Sequence, residues 1–347
     1  MSKKFSIILP CYNVESYIDK CLDTLIRQTI GLENLELICI NDASTDSTLS
    51  LLMSYEQQYP DSIIIINLPT NQRQGGARNI GLQYASGEYI SFFDSDDWAD
   101  LRLYEKVYEK AKQYDCDIVH FECFDFVKDD TFIPSSISTG SNSRLITIEN
   151  ETQRKFFLEN VINERFLECS CRNKIYKKNF LLDTNVSFPS HCVLEEPLFV
   201  YPLYFYTKRF YVLEERLYYY RYNPFGTMQH TLNQTSKWLD HIKVHLLLFE
   251  ELEKRGLITQ FHDEIELYYL WNLYIETIGF IFRHTNHFPM DLYEYIREST
   301  LTCFPNFSFN TYINRPEYDL LKKSLHSLYV KLNQEQLNAL KPTWITL

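Results

Sequence analysis

No Cys-x-x-Cys pair occurs in this 347-residue chain, although it carries nine cysteines, and the nearest two, Cys169 and Cys171, are separated by a single residue. That spacing excludes a zinc knuckle and a disulfide framework and points to reduced thiols in a cytosolic compartment. Neither Gly-x-Gly-x-x-Gly nor Gly-Lys-Ser/Thr is present, so the dinucleotide fingerprint and the P-loop are both absent. There is no Lys/Arg-rich stripe, and the net charge is -12, which argues against a nucleic-acid partner because nothing replaces counterions along a phosphate backbone. No apolar run is long enough to span a bilayer: the most apolar stretch, Leu267 to Phe282, is broken by Asn272, Glu276 and Gly279 and falls short of roughly 20 residues. The apolar segment Phe5 to Pro10 behind Met-Ser-Lys-Lys is too short for a signal peptide and lacks a small-residue cleavage site. The expected location is therefore cytoplasmic, with room for peripheral contact at the inner face of a membrane. No internal repeat is found.

What is present is a regular alternation of strand and helix over the first 125 residues. Expected strands are Phe5 to Leu9, Leu35 to Ile40, Ile63 to Asn67, Tyr89 to Phe93 and Ile118 to Phe121. Expected helices are Glu15 to Gln28, Thr45 to Gln58, Gly75 to Ala85 and about Asp100 to Gln113. Short Ile, Leu and Phe runs without polar alternation suit strands covered on both faces, as in a doubly wound, mostly parallel α/β sheet. The polar stretch Lys128 to Ser143 marks a surface loop and a boundary. Beyond it we expect a helix near Glu149 to Asn163, a turn-rich stretch to Pro189, a helix from about Leu194 to Thr207, and two extended pieces, Phe210 to Leu213 and Leu217 to Arg221. From Thr235 onward the pattern is amphipathic helix, broken near Gly256, Pro289 and Pro305. The rings Tyr268, Tyr269, Trp271 and Tyr274 recur at helical spacing, which means core or subunit interface. The interface is the favoured reading, hence a homodimer through the C-terminal helices.

The tetrad Asp94-Ser95-Asp96-Asp97 follows directly on the apolar strand ending at Phe93. Three carboxylates thus stand at the C-terminal edge of a sheet, where open α/β folds hold ligands. Packed so closely they repel one another, and a hard divalent cation shared with a phosphate ester accounts for them. The plainer alternative is a cap at Asp97 or Asp100 with solvated acids in a turn. After the first strand, Pro10-Cys11-Tyr12-Asn13 offers a ring face for a nucleobase and an amide for a hydrogen bond. After the second, Asp42 precedes the helix cap, expected at Ser44 or Thr45, and is free to accept from a base N-H. Arg73 to Gly81 opens the third helix with Gly75-Gly76 and Arg78, a pattern that lets backbone N-H groups approach phosphates.

Ser6 to Asn13, Ile40 to Asp46, Gly76 to Gly81 and Phe93 to Trp98 stand in an order and spacing that resembles the family 2 glycosyltransferases of GT-A fold, bacterial surface-polysaccharide type. The resemblance covers residues 3 to about 125 closely and continues weakly to about Met228. It implies a GT-A domain over 1–230, with a nucleotide-sugar half at 1–125 and an acceptor half at 144–230, followed by a helical region at 235–347 that serves oligomerisation or acceptor binding. It further implies that Tyr12 stacks on uracil, that Asp42 meets its N3, and that Arg78 touches the donor. Pro10, Asn13 and Ser95 count with the donor site, Asp94 faces the ribose, and Asp96 holds Mg²⁺ or Mn²⁺ against the diphosphate. Arg221, in Tyr218-Tyr-Tyr-Arg221 ahead of Gly226-Thr227, is similar to a segment that closes over that diphosphate. Leu194-Glu195-Glu196-Pro197 is similar to a stretch that usually reads Glu-Asp, so Glu196 falls at the position of the catalytic base, one methylene longer. An acidic first turn of a helix would explain the same pair without catalysis.

The implied function is an inverting transfer of a sugar from a UDP-linked donor to the hydroxyl of a glycan or lipid-linked glycan acceptor. A sugar nucleotidyltransferase and a non-catalytic nucleotide-sugar or glycan-binding module are the rivals.

Overall fold

The computed structural model describes residues 3–127, 131–134, 142–163, 169–223, 226, 235–285 and 288–341. The chain divides into two compact units, one of Met1–Arg154 with Glu164–Gly226 and the other of Lys155–Asn163 with Thr227–Leu347.

The first unit is built on a ten-stranded sheet. Strands β1 (Phe5–Cys11), β2 (Leu35–Asn41), β3 (Ile63–Asn67) and β4 (Tyr89–Phe92) are parallel, in the order β3-β2-β1-β4. Every residue of β1, β2 and β4 is buried, which is what unbroken apolar runs produce when helices cover both faces. Helices α1 (Ile18–Ile26), α2 (Thr48–Gln58) and α3 (Arg73–Tyr84) connect them. In α1 the buried Ile18, Cys21, Leu22 and Leu25 form one stripe at helical period.

Beyond β4 the sheet is mixed. After the two-residue strand β5 (Trp98–Ala99) and helix α4 (Leu103–Tyr114) come β6 (Ile118–Val127), β7 (Thr131–Pro134), β8 (Arg144–Thr147) and helix α5 (Glu151–Asn163). Strand β9 (Lys174–Lys177) inserts antiparallel between β4 and β6, helices α6 (Lys178–Thr184) and α7 (Glu196–Leu203) follow, and β10 (Arg209–Arg221) runs parallel to β6. The α/β class is as expected, with the parallel arrangement concentrated in the first four strands.

Three expectations are revised. The two extended pieces before Arg221 are one strand: Glu214, Glu215 and Arg216 interrupt the apolar pattern where the register of β10 against β6 slips, between Leu213 and Arg216 and again between Arg216 and Tyr218. The turn-rich stretch before Pro189 contains β9 and α6. Most of the loop expected over Lys128 to Ser143 lies outside the described residues, as does Thr227; the described Thr131–Pro134 pairs with β6.

The second unit is helical. Its longest helix, Thr235–Lys254, stops at Gly256, whose φ of +71° suits glycine. Helix His262–Tyr269 continues through a π-helical segment, Leu270–Glu276, into Thr277–His284, and Met290–Cys303 follows Pro289. Tyr268, Tyr269 and Tyr274 are buried within the chain. This corrects the interface reading for the three tyrosines, which are core and lend association of two copies no support; Trp271 is half-buried. Among the described residues no helix is long and apolar enough to cross a membrane.

Candidate functional site

The C-terminal ends of β1, β2 and β4 carry the three motifs singled out above. Tyr12, directly after β1, is 49% exposed, so its ring is available to a ligand. Asn13 has φ +52°; its side-chain oxygen accepts from Thr45 N at 2.8 Å, and its own N-H donates to Ser44 Oγ at 3.1 Å. Asn13 therefore ties the β1 loop to the β2 loop. Ser44 and Thr45 serve that tie and do not cap α2, whose first residue is Thr48; the Asp46 carboxylate accepts the Thr48 N-H at 2.9 Å instead. Asp42 is buried behind β2. It accepts from Gln72 N at 2.6 Å, and burial pushes its carboxyl up against the pull of the Gln72 and Arg73 N-H groups.

Five of the seven non-glycine residues with positive φ among the described ones flank these segments: Asn13, Ala43, Arg73, His191 and Leu194. Left-handed backbone at side-chain-bearing residues is costly, and it clusters where geometry must be held for function.

The acidic loop after β4 is organised from three sides. Ser95 donates to the Pro10 carbonyl at 2.7 Å, fastening the loop to β1. Arg78, buried in α3, donates to Asp94 Oδ1 at 2.9 Å and to Glu195 Oε1, so one guanidinium joins two motifs far apart in sequence. Arg78 thus stands between protein carboxylates. Gly75 is needed because a Cβ there would lie 2.4 Å from the Pro189 carbonyl oxygen and 3.0 Å from Glu195 Cγ. That close approach belongs to the chain itself, in place of the phosphate approach expected from the sequence.

On the third side, Tyr218 OH donates to Asp97 Oδ2 at 2.5 Å, and the Arg221 N-H donates to Asp97 Oδ1 at 2.7 Å. The Arg221 side chain donates from Nε to the Asp96 carbonyl at 2.8 Å and lies over the rings of Trp98 and Tyr17. Asn223 Nδ2 donates to Asp96 Oδ2 at 2.9 Å and accepts at Oδ1 from Tyr17 OH at 3.2 Å. Burial and the Asp94 charge push the Asp96 carboxyl up, and burial with Asp96 and Asp94 pushes Asp97 well up. Such a cluster resists ionisation unless positive charge arrives.

A divalent cation fits this donor set. Both Asp97 oxygens are engaged by Tyr218 and Arg221, and Asp94 faces Arg78, with Arg172 Nη1 4.0 Å away. Asp96 receives a side-chain hydrogen bond from a neutral amide, and its hard oxygens suit Mg²⁺ or Mn²⁺.

Glu195 and Glu196 open α7, which has Pro197 in its first turn. Glu195 is buried against Arg78, whereas Glu196 is partly exposed and accepts at Oε1 from Cys171 N at 2.7 Å. Burial alone would raise the Glu196 carboxyl, but Arg78, Arg172 and the Cys171 N-H outweigh it and hold the group below its ordinary value. Glu196 is therefore ionised at neutral pH and able to receive a proton. From the sequence, Asp97 is one carboxylate of the tetrad without a site role of its own, and Arg172, Tyr218 and Asn223 have no site role. Their signal was weak: Arg172 and Asn223 lie in irregular segments whose approach to the acidic loop depends on β9 and β10.

Residues 6–183, about half of the chain, match the model of the glycosyl transferase family 2. The minor teichoic acid biosynthesis protein GgaB of Bacillus subtilis (strain 168) is 30% identical over 244 residues, 68% of this chain and 25% of that protein. The poly(ribitol-phosphate) beta-glucosyltransferase of Bacillus spizizenii is 28% identical over 218 residues, 62% of this chain and 32% of that protein. This chain thus spans a quarter to a third of the length of these relatives. Among solved structures, S. aureus TarS 1-349 in complex with UDP-GlcNAc superposes with a TM-score of 0.60 at 19% identity, over 93% of this chain and 92% of that one. The mannosyltransferase PcManGT from Pyrobaculum calidifontis, solved with GDP-Man and Mn2+, gives 0.52 at 14% identity, over 99% of this chain and 86% of that one. These two likenesses concern the fold.

Proposed function

Because this chain belongs to glycosyl transferase family 2, we propose that it moves a sugar from a UDP-linked donor to an acceptor hydroxyl of a surface glycan, with inversion at the anomeric carbon. The observation that carries the reading is the Arg78 bridge, which sets the acidic loop after β4 beside the Glu195-Glu196 pair. One motif suits a diphosphate and the other an acceptor, and they belong to one site. That teichoic-acid enzymes are among the relatives, and that TarS was solved with UDP-GlcNAc, supports the donor class and a glycan or lipid-linked glycan acceptor.

In this reading the exposed Tyr12 ring stacks on the uracil, Pro10 and Asn13 shape the loop beneath it, and Asp42 accepts from the base. Asp94 and Ser95 border the ribose side, and Arg221, already against the acidic loop, closes over the diphosphate. Asp96 holds Mg²⁺ or Mn²⁺, which when bound offsets the negative charge of the departing diphosphate as a Lewis acid. Glu196 takes the acceptor hydroxyl's proton as that oxygen bonds to the anomeric carbon from the face opposite UDP. The old carbon–oxygen bond breaks with its electron pair leaving on the diphosphate, so charge and protons balance. Arg172, with its guanidinium over the Tyr220 ring, keeps Glu196 anionic until the proton arrives.

Calorimetric titration of UDP with and without Mn²⁺, together with a transfer assay, tests this. Asp96→Asn should abolish metal-dependent UDP binding and lower turnover by at least about a hundredfold. Near-normal turnover in that variant refutes the assignment.

A further inference from the structure

In the second unit, the start of helix His262–Tyr269 gathers His262, Asp263 and Glu266, and one ligand atom from each lies within 4.8 Å of the others. His262 and Glu266 are four residues apart and share a helix face. Glu266 is 1% exposed; its Oε2 accepts from Asn310 Nδ2 at 2.8 Å, while its Oε1 is buried without a hydrogen-bond partner. A carboxylate oxygen left so in a folded core is expensive, and the cost asks for a donor or a cation.

The surroundings hold this cluster in place from behind. Asp263 Oδ2 accepts from Thr311 N at 3.2 Å and Thr311 Oγ1 at 2.5 Å, and Asn310 Nδ2 also donates to the Asp263 carbonyl at 2.8 Å. Asp263 Oδ1 thereby faces His262 Nδ1 at 3.3 Å. The Phe304 ring meets the imidazole edge to face at 5.7 Å and fixes its plane. Outer oxygens bound to backbone and amide groups, with inner ones turned toward an imidazole, are how proteins orient metal ligands.

We propose that His262, Asp263 and Glu266 form a cation site, separate from the acidic loop of the first unit, that takes Zn²⁺ through one imidazole nitrogen and two carboxylate oxygens. The imidazole selects a transition ion over Mg²⁺ or Ca²⁺, and Zn²⁺ stands above Mn²⁺ in affinity for such donors. The positive end of the helix dipole opposes a cation, but two carboxylates outweigh a half charge. All three ligands come from the start of this helix, and the hydrogen bonds of Asp263 and Glu266 to Asn310 and Thr311 hold them in place.

The test uses the full chain with Asp96→Asn in the background, so that any metal at the acidic loop makes no contribution and the result is independent of the donor-site reading. Titration with Zn²⁺ should show one ion per chain and a thermal midpoint that climbs with Zn²⁺ concentration. His262→Ala, at an exposed residue, and the isosteric Glu266→Gln should each weaken Zn²⁺ binding at least about tenfold. No Zn²⁺-dependent shift, an equal shift with Mg²⁺, or a shift that survives both substitutions overturns the proposal.

Discussion

The first unit crowds Arg78, Asp94, Asp97, Glu195 and Glu196 around one loop, where the buried Arg78 guanidinium pairs with both Asp94 and Glu195. In the second unit, away from the His262 cluster, buried tyrosine hydroxyls meet neutral groups: Tyr269 OH donates to the His245 carbonyl at 2.7 Å, Tyr274 OH to Ser327 Oγ at 2.9 Å, and Tyr293 OH to the Ser327 carbonyl at 2.9 Å. Neutral pairs cost little to bury and contribute modestly. Concentrated charge is expensive, and its persistence at a strand terminus marks the place where chemistry, and not stability, sets the residues.

Substitutions should separate the two kinds of burial. Glu196→Gln is expected to have the largest effect: turnover falls by about 10²- to 10⁴-fold while UDP-sugar affinity, measured by calorimetry, is retained. Loss of donor affinity instead would make Glu196 structural and erase the contrast. Arg78→Met leaves Glu195 buried without its cation, and denaturant unfolding should show a loss of about 3–5 kcal/mol. Adding Glu195→Gln should recover part of it. In the other unit, Tyr274→Phe should cost only about 1 kcal/mol and leave transfer unchanged. A cost as large as that of Arg78→Met would show that the dispersed network is as highly stressed as the concentrated one.

The smallest effect is one of pH. Glu196 is held below its ordinary value, so its ionised form stabilises the fold above the unfolded value of 4.5, and that contribution is lost as pH falls through the folded value. Asp97, raised well above 3.8, has the opposite sign: its contribution is present in acid and lost as pH rises. The stability difference between the natural chain and Glu196→Gln should therefore shrink as pH drops below 4.5. A difference that stays constant through that range contradicts the assigned ion pairing.

Much of the first four strands was legible because each is a short apolar run bounded by its own turn, and the acidic tetrad follows one of them directly. The partners of that tetrad were harder to see. Nothing local in Arg78 or Glu195 announces that they meet; only the packing of α3 against the segment around Pro189 brings them together. Tyr218 and Asn223 reach Asp97 and Asp96 because β10 ends beside the loop, and the polar Glu214-Glu215 stretch concealed that β10 is one strand. The tyrosines of the second unit illustrate the converse limit. Helical spacing shows that they share a face but not what covers it, and here the chain covers them itself.

The slip in β10 also turns residue count into a selector. From Leu213 to Tyr218 the strand spends five residues while its neighbour spends two, from Phe121 to Cys123. Past that point Tyr218 reaches Asp97, and Tyr219 lies flat against Trp98, with ring centroids 5.4 Å apart. Adjacent side chains of a strand point to opposite faces, so one residue lost between Leu213 and Tyr218 would bring Tyr219 to the position that Tyr218 now holds and turn Tyr218 to the other face. Length in this stretch acts as a ruler: it determines which phenol anchors the acidic loop, and it tolerates exchange of side chains far better than any change in their number.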